Sequence, residues 1–458
     1  MEGESAVLRS GPILDASGAF LLLITLFVFL LPLFIYFPPV PPSQRDALLE
    51  THARVGLAPA ESGLQRQQRR DAAGPNLPVK SGAEQPCKIR SLWIYPVKSC
   101  SGIEVRQSKV LPTGLEFDRL YTFAQLKSPF PVGVQATPEE TQAHKWEFIT
   151  QRQFPLLATV KVDLYVPDVA KAQGRSSKVS DPFLLVRFPW REPGLRGALS
   201  WVAAKIARGR HALPEKELLL PVAFPPQEEI EARGYTYEQV TIWKDTVTAL
   251  NMESDLPREL RLYLGVSNRL GIFRIDPGRL RHVYRCAPTV DEAGYQPVTG
   301  FQDAYPLHLL NTSSVRDLDA KIDKDEAIKD LDPRRFRANI VVDGGDAPYD
   351  EETWKKIRFV PGPGSKRDAS TFHVSCRTVR CKMPNVDQDN GHRHPVEPDK
   401  SLRKFREVDE GAKRKGCLGM QMTPLFDKTD VPEDMESWVE VGMSVDVLER
   451  GSHSYIKQ

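Results

Sequence analysis

Cys381 lies between arginines and an acidic turn in the stretch "TVRCKMPNVDQDNG", residues 378–391. Arg380 is its immediate neighbour, and Arg377 lies just upstream. Positive charge beside a thiol favours the thiolate, which is the form that binds soft metals. The pattern therefore predicts that Cys381 is a metal ligand. Asp387, in the acidic turn, either relays protons or only stabilises the turn.

Two other interpretations of this region are weaker. A zinc site would use the histidines and cysteines of one short window, but their spacing does not form the usual knuckles. These residues are His373, Cys376, Cys381, His392 and His394. On a strand, alternation also points Cys376 and Cys381 to opposite faces, which disfavours a disulfide between them. Zinc therefore stays a minority interpretation.

The cysteines are sparse and irregularly spaced, which is not the pattern of a disulfide-rich secreted domain. The six are Cys87, Cys100, Cys286, Cys376, Cys381 and Cys417. We interpret Cys87, Cys100 and Cys286 as small buried apolar side chains, the commoner role of a free cysteine. A reducing compartment is therefore expected.

Basic and polar residues at strand ends form a second set of candidates. Lys98 and Ser99 follow a proline in a turn, where an ammonium and a hydroxyl can both meet a phosphate. Arg337 and Asn339 share one face of a strand by alternation. The other candidates are Arg119 at a strand start and Asp303 and Tyr305 in a turn before a strand. Each alone is explained as well by a solvated charge, so only their combination predicts an anion site.

The elements that must position these residues are mostly strands. The stretches "KIRSLWIYPVKS", "DRLYTFAQL", "QFPLLATVKVDLYV" and "PFLLVRFPW" are rich in β-branched and aromatic residues. Residues 126–146 and 190–235 are polar or contain prolines, and we interpret them as insertions between strands. Many short strands with few helices predict a mostly β fold with some α and with barrel character. A chain of 458 residues is long enough for two or three compact units.

Composition and missing motifs exclude several classes of function. Lys and Arg number 62 against 60 Asp and Glu, so no overall field draws the chain onto nucleic acid. The sequence has no P-loop, no GxSxG elbow, no HExxH motif and no run of four cysteines for an iron–sulfur cluster. Any redox metal must therefore be held in another way.

The N-terminal region carries a long apolar segment. Residues 18–37, "GAFLLLITLFVFLLPLFIYF", are long enough as a helix to cross a hydrocarbon core of about 30 Å. A cleaved signal peptide is the alternative, but the residues before this segment are not basic. The expected segments are a short tail (1–15), a transmembrane anchor (16–40) and a flexible linker (41–86). Positive residues after the anchor predict a single-pass protein with its body in the cytosol.

The motifs occur in an order and with a spacing that resemble the molybdenum-cofactor sulfurase C-terminal (MOSC) superfamily. They are "WIYPVKS", "DRLY", "FRANIVV", "RCKMPNVDQDNG" and "CLGMQM". Within the superfamily, the chain looks most like the mitochondrial amidoxime-reducing components. The resemblance implies a MOSC N-terminal β-barrel module with the insertions (87–250) and a MOSC β-barrel domain (251–452). At the level of the superfamily alone, it also brings an association with pyridoxal phosphate binding.

The resemblance implies roles for the candidate residues. Cys381 would be the thiolate ligand of the metal in a molybdopterin-type molybdenum cofactor, with Val379 and Arg380 against the cofactor. Lys98, Ser99 and Arg119 would hold its phosphate and pterin. The other implied contacts are Asp303, Ala304, Tyr305, Arg337 and Asn339, with Gln421 near a further contact.

The activity implied is the reduction of N-hydroxylated compounds, such as amidoximes, by cleavage of the N–O bond. The family's usual electron donors are a b-type cytochrome and an NADH-dependent flavin reductase, so we expect electrons from separate proteins. By resemblance, the membrane is the mitochondrial outer membrane, with the endoplasmic reticulum as the alternative.

Two other functions stay open on the sequence. The chain could bind or carry molybdenum cofactor or persulfide without reducing substrates. It could also be a tethered β-barrel interaction module with a structural zinc. Metal analysis separates the three, because it asks whether molybdenum, zinc or neither is bound to the chain.

Overall fold

The computed structural model describes eight stretches of the chain. They are residues 15–36, 43–64, 86–131, 133–172, 181–210, 212–345, 347–429 and 431–456. The chain divides into two compact units. The smaller consists of Met1–Ala47 with Arg191–Pro214, and the larger consists of Leu48–Trp190 with Glu215–Gln458. The strands and the candidate site residues belong to the larger unit.

The larger unit is built mainly from short strands. They are β1 His52–Val55, β2 Lys88–Ile94, β3 Ile103–Val105, β4 Gln107–Leu111, β5 Gly114–Leu115, β6 Tyr121–Lys127, β7 Lys145–Phe148, β8 Lys161–Pro167, β9 Phe183–Pro189, β10 Glu215–Pro221, β11 Thr236–Ile242, β12 Asp245–Asn251, β13 Leu270–Ile275, β14 Arg281–His282, β15 Val298–Thr299, β16 Leu307–Asn311, β17 Ile340–Asp343, β18 Trp354–Val360, β19 Ser370–Val379, β20 Cys417–Leu425, β21 Ser437–Glu440 and β22 Ser444–Arg450. Strand β4 shows why such segments fold this way, because Ser108 and Val110 are buried, Gln107 is exposed, and Lys109 and Leu111 are partly exposed. Alternation of this kind is the pattern of a half-buried strand.

The α-helices are few and mostly short. They are α1 Ala16–Tyr36, α2 Gln44–Leu49, α3 Pro138–Gln142, α4 Val169–Ala172, α5 Gly194–Arg208, α6 Gln227–Arg233, α7 Arg258–Leu264, α8 Val290–Ala293, α9 Thr312–Asp319 and α10 Asp399–Phe405. Single turns of 3-10 helix lie at Pro59–Glu61, Pro155–Thr159, Glu253–Asp255, Pro333–Phe336, Asp350–Thr353, Met383–Asn385, Glu410–Ala412 and Pro432–Asp434. The predicted mostly β class with some α is confirmed.

The sheets include two barrels. Strands β11-β12-β13-β6-β7 form a closed barrel. A larger sheet has the order β17-β16-β20-β19-β18-β22-β2-β3, and an additional pairing of β17 with β2 closes it. Three smaller sheets have the orders β1-β8-β9-β10, β21-β4-β5 and β14-β15. The long strand β19 therefore lies between β20 and β18: β18 pairs with its first residues, Ser370 to His373, and β20 pairs with it up to Val379.

Strand pairing differs in three places from the predicted segments. The first barrel includes β12 and β13, so it extends beyond the expected domain boundary at residue 250. In the expected linker, α2 and β1 are ordered, and β1 pairs with β8, while residues 65–85 lie outside the described part. In the second expected insertion, β10 is a sheet strand that pairs with β9. Sequence composition could not show these pairings, because each partner is distant along the chain.

The predicted membrane anchor is contradicted. Within the described residues, no helix is both long enough and apolar enough to cross a membrane. The single-pass anchor, and the localisation to the mitochondrial outer membrane or endoplasmic reticulum that followed from it, are therefore wrong. The expected tail lies outside the described part except for Asp15.

Candidate functional site

A cavity of about 500 Å³ gathers most of the predicted site residues. Its wall includes Arg119, Asp303, Ala304, Tyr305, Arg337, Asn339, Val379, Arg380, Cys381 and Gln421. A smaller space of about 40 Å³ contains Lys98 and Ser99 and shares Arg119, Asp303, Arg337 and Cys381 with the cavity. The predicted cofactor-binding residues are thus brought together, although they are spread over nearly 300 positions, from Lys98 to Cys381.

Cys381 is presented to the cavity at the end of β19. The strand pairs with β20 up to Val379, which lies opposite Cys417. The N–H of Arg380 then donates to the carbonyl of Gly416 at 2.8 Å, and the chain turns into the helical turn Met383–Asn385. The Cys381 sulfur is partly exposed and accepts the N–H of Met383 at 3.4 Å. Its remaining lone pairs are therefore available to a ligand in the cavity.

Two buried groups beside Cys381 carry unused donors or acceptors. The Arg380 guanidinium donates to the carbonyl of Phe336 at 2.9 Å. Within the described part of the chain, Nε of Arg380 and Nε2 of His308 have no hydrogen-bond partner. Burial, together with Arg380 and Arg119, lowers the pKa of His308 well below 6.5, so its imidazole is neutral. Orphaned buried polar atoms are rare in folded proteins, and here they line one cavity.

Two further arginines stack on one aromatic ring. Arg119 and Arg337 lie 4.6 and 4.2 Å from the centre of the Tyr95 ring. Arg119 also donates to the carboxylate of Asp118 at 2.6 Å, whereas the guanidinium of Arg337 donates, among the described residues, to the side-chain oxygen of Gln388 at 3.4 Å. Burial and then the charge of Arg119 lower the pKa of Arg337 to about 10. Nη2 of Arg337 is another buried donor for which the described residues offer no acceptor.

Lys98 is buried and paired. Its ammonium donates to Asp303 at 2.6 Å and to the carbonyl of Phe301 at 2.7 Å. Burial lowers the pKa of Lys98 to about 8, against the opposing effect of Asp303. Asp303 also accepts from the indole of Trp243 at 3.1 Å, and its side chain is half-exposed in the cavity wall. Burial alone would raise the pKa of Asp303, but Lys98 outweighs that effect and lowers it.

Two predicted residues have other roles in the structure. Asn339 lines the cavity, yet its amide donates to the carbonyl of Trp93 and accepts the N–H of His308, both at 3.2 Å. Asp387 does not line the cavity. It accepts from Arg335 at 2.8 Å and from the N–H groups that follow it in its own turn. The structure therefore places Asp387 in a turn, away from Cys381, and its role as a proton relay stays a prediction.

Several cavity residues were not predicted from the sequence. They include Arg152, Trp243, His308, Thr378, Met383, Lys415 and Tyr455. Trp243 lies in the turn between β11 and β12, with a φ of +57°, and Arg152 packs on its ring at 4.8 Å. The alternating residues on both sides of this turn were a signal for a hairpin. His308 and Tyr455 gave no signal, because only tertiary contacts bring them to the cavity.

The cavity fits an anionic group with a soft metal better than a zinc ion. No group of three or more His, Cys, Asp or Glu side chains in the described stretches is arranged to hold a metal ion. A metal in this cavity would therefore need most of its ligands from a bound group. The lining has seven basic side chains against two acidic ones, and buried donors of Arg337 and Arg380 are unused. These are the properties expected of a site for a phosphate-bearing cofactor whose metal takes one ligand from Cys381.

Comparison with known families agrees with this geometry. Residues 87–181 match the sequence profile of the MOSC N-terminal beta barrel domain, and residues 296–446 match that of the MOSC domain. Together the two matches cover more than half of the chain. The chain belongs to the MOSC domain family. In this MOSC protein, β19, Arg380 and Cys381 all lie within the matched MOSC domain.

Individual relatives fall into two groups of MOSC proteins. The chain is 24% identical to a molybdenum cofactor sulfurase of Oryza sativa over 373 residues. This match covers 78% of this chain and 35% of that protein. It is 22% identical to mitochondrial amidoxime reducing component 2 of Rattus norvegicus over 343 residues. This match covers 75% of this chain and 78% of that protein. A shorter match, 32% over 136 residues, relates it to mitochondrial amidoxime-reducing component 1 of Danio rerio, covering 30% of this chain and 36% of that protein. The MOSC protein thus spans about a third of the rice sulfurase but most of the rat protein.

Proposed function

We propose that this MOSC protein is a molybdenum-dependent oxidoreductase that reduces N-hydroxylated compounds, such as amidoximes. The observation that carries the proposal is the Cys381 sulfur in a strongly basic cavity of about 500 Å³. That volume lies within the range of about 300–1,000 Å³ that is typical of small-molecule and cofactor sites. The similarity to the rat amidoxime reducing component over 75% of the chain supports the same activity.

Different residues of the cavity would bind different parts of a molybdopterin-type cofactor. Cys381 would ligate the metal, and Arg380 would neutralise charge beside it through its unused Nε. Arg337, with Ser99 and Lys98 in the adjoining space, would bind the phosphate, because charge-assisted hydrogen bonds to phosphate are strong. When bound, such a cofactor supplies the two-electron chemistry that cleaves an N–O bond.

Other side chains orient the substrate and exclude water. Trp243 is held by its hydrogen bond to Asp303, so its ring forms a fixed part of the wall. Tyr305 is fixed in the same way, because its hydroxyl donates to the carbonyl of Arg285 at 2.5 Å. Neutral His308 can accept a hydrogen bond from an N–H or O–H group of a substrate. Electrons would come from separate proteins, a b-type cytochrome and an NADH-dependent flavin reductase.

Metal analysis and one variant test the proposal. We expect purified protein from a host that makes molybdenum cofactor to contain close to one molybdenum atom per chain. With a reduced artificial donor it should convert an amidoxime to the amidine. Cys381→Ala should abolish turnover, whereas Cys417→Ala, which removes a fully buried thiol outside the cavity, should retain it. Persistent turnover by Cys381→Ala would end the proposal.

The similarity to molybdenum cofactor sulfurases favours a second candidate, a protein that binds or carries the cofactor or a persulfide without reducing substrates. The same cavity residues would hold the cofactor in that case. Protein that contains molybdenum but reduces no N-hydroxylated compound with a competent donor would support this candidate. Protein that contains zinc and no molybdenum would contradict both.

A further inference from the structure

A second pair of thiols lies behind one wall of the cavity. Cys286, between β14 and α8, and Cys376, on β19, belong to one cluster with Tyr305 and Tyr455. Both tyrosines line the cavity, whereas the two cysteines do not. Hydrogen bonding between the two side chains is the largest influence on the pKa of each, and both cysteines are free. The two side chains therefore lie together in this cluster, separate from Cys381.

Most contacts of Cys286 stabilise a thiolate, although its own thiol can donate to the carbonyl of Ser454 at 3.6 Å. The N–H of Ile456 donates to its sulfur at 3.3 Å, in addition to the Cys376 thiol. These hydrogen bonds, with that from Cys376 the largest, lower the pKa of Cys286 to about 6, although partial burial and the Asp409 carboxylate oppose them. Cys286 also has a φ of +55°, a left-handed conformation that is uncommon for a residue with a β-carbon. The expectation that Cys286 is an inert apolar side chain does not fit these contacts.

Cys376 has the opposite properties. It is fully buried, and its role as donor to Cys286, together with burial, raises its pKa well above 9. Reagents in solution can therefore reach Cys286, which is partly exposed, but not Cys376. One accessible thiolate beside one buried thiol is the arrangement of an attacking and a resolving cysteine.

We propose that Cys286 and Cys376 form a redox-active dithiol that small disulfides, such as oxidised glutathione, convert to an intramolecular disulfide. The Cys286 thiolate attacks one sulfur of the reagent, forms a mixed disulfide and releases one glutathione thiolate. The Cys376 sulfur then attacks Cys286, and the second glutathione leaves as a thiolate that takes up the Cys376 proton. Two electrons pass from the protein to the reagent, and one sulfur–sulfur bond is exchanged for another.

This reaction reaches the cavity through the C-terminal segment. The Cys286 sulfur accepts a hydrogen bond from the N–H of Ile456, and the preceding residue, Tyr455, lines the cavity. Oxidation removes the negative charge from this sulfur, so the hydrogen bond that fixes Ile456 weakens. The inference concerns the thiols of this chain alone and holds whether or not the chain is a reductase.

Peptide mapping tests the proposal directly. The full-length protein is treated with oxidised glutathione, its free thiols are alkylated, and it is digested with trypsin without reduction. Cleavage after arginine leaves each cysteine alone in its peptide, Cys286 in 286–316 and Cys376 in 368–377. We expect these two peptides to be recovered joined by a disulfide. Recovery of both in the alkylated form, with no joined peptide, would overturn the proposal.

Alkylation kinetics supply a second readout that does not depend on oxidation. In the untreated protein, the rate of Cys286 alkylation should rise with pH around a midpoint of about 6. Cys376→Ala removes the hydrogen bond to the thiolate, so the rate at pH 7 should fall by about tenfold. Cys417→Ala is the matched control, because it removes a buried thiol that is not in contact with Cys286, and the rate should not change. An unchanged rate in folded Cys376→Ala contradicts the dithiol, and peptide mapping of the wild-type protein tests it without any variant.

Discussion

Replacement of Arg337 by methionine should stabilise the chain without its cofactor and remove its response to phosphate. Arg337 is fully buried, and burial with the charge of Arg119 lowers its pKa from 12.5 to about 10. That shift corresponds to an unfavourable free energy of about 3 kcal/mol for the charged form. The stacking on Tyr95 lost in Arg337→Met offsets about 1–2 kcal/mol of this. The free energy of unfolding should therefore rise by about 1–2 kcal/mol.

The stabilisation expected for Arg337→Met does not depend on pH between about 6 and 9. The pKa of Arg337 is lowered in the folded state, but it stays above that range, so the side chain is charged in both states. Chemical denaturation at pH 7.5, with and without pyrophosphate as the probe, measures both effects. The wild-type protein should be stabilised by about 2.7 kcal/mol at 100 times the dissociation constant. Arg337→Met should respond much less.

The matched control is Arg358→Met. Arg358 lies on β18 and forms a half-exposed ion pair with Asp446 at 2.8 Å. Its loss should lower the free energy of unfolding by about 1 kcal/mol or less and leave the pyrophosphate response intact. The reasoning is refuted if Arg337→Met is less stable than the wild type and is still stabilised by pyrophosphate to the same extent.

Three further outcomes follow from the structure. Burial raises the pKa of Glu351 from 4.5 to about 7, so the stability from its protonated form is complete below about pH 4.5 and is lost as pH rises through 7. Relative to the wild type, the free energy of unfolding of Glu351→Gln should therefore rise by about 2–3 kcal/mol between pH 4.5 and 8 in a denaturation assay. Gly419→Ala should lower the free energy of unfolding by about 2–4 kcal/mol, because Gly419 has a φ of +82° and a β-carbon there would lie 2.4 Å from Nε2 of His308. Gly265, with a φ of +70°, faces open space, so Gly265→Ala should lose only about 1–2 kcal/mol in the same assay. Asp387→Asn should retain amidoxime turnover in the reductase assay and lose about 1–3 kcal/mol of stability, because the buried Arg335 loses its carboxylate partner. Loss of turnover in a folded Asp387→Asn protein would instead support Asp387 as a proton relay.

The site could be predicted where its residues sit in contiguous motifs. Cys381 and Arg380 were recognisable because a thiol beside a guanidinium, followed by an acidic turn, is uncommon in sequence. The stretch around Lys98 was recognisable for a similar reason, since a proline ends the strand before it. Trp243 and His308 were missed because each lies in an ordinary element, a hairpin turn and a buried strand. Their position in the cavity is decided by the packing of distant strands.

The fold class followed from residue patterns, but the arrangement of strands did not. Alternation and turn residues predicted many short strands, and these were found. Strand β2, however, pairs with β17, whose residues lie about 250 positions further along the chain. The expected anchor, residues 16–40, was wrong for a different reason: apolar length alone predicted a membrane span that the described helices do not support. The proximity of Cys286 to Cys376 could not be predicted, because the two residues belong to different elements.

The basic side chains of the cavity differ in how they are neutralised, and this difference indicates where an anion binds. Lys98 and Arg119 each have a carboxylate partner, Asp303 and Asp118, at 2.6 Å. Arg337 and Arg380 have none among the described residues, and each keeps an unused N–H. A bound anion therefore gains least from the paired cations, whose charge is already screened, and most from the unpaired ones. Cys381 is next to Arg380, so the strongest attraction for an anionic cofactor lies beside the only thiol among the described residues of the cavity wall, and a thiolate is a ligand for soft metals.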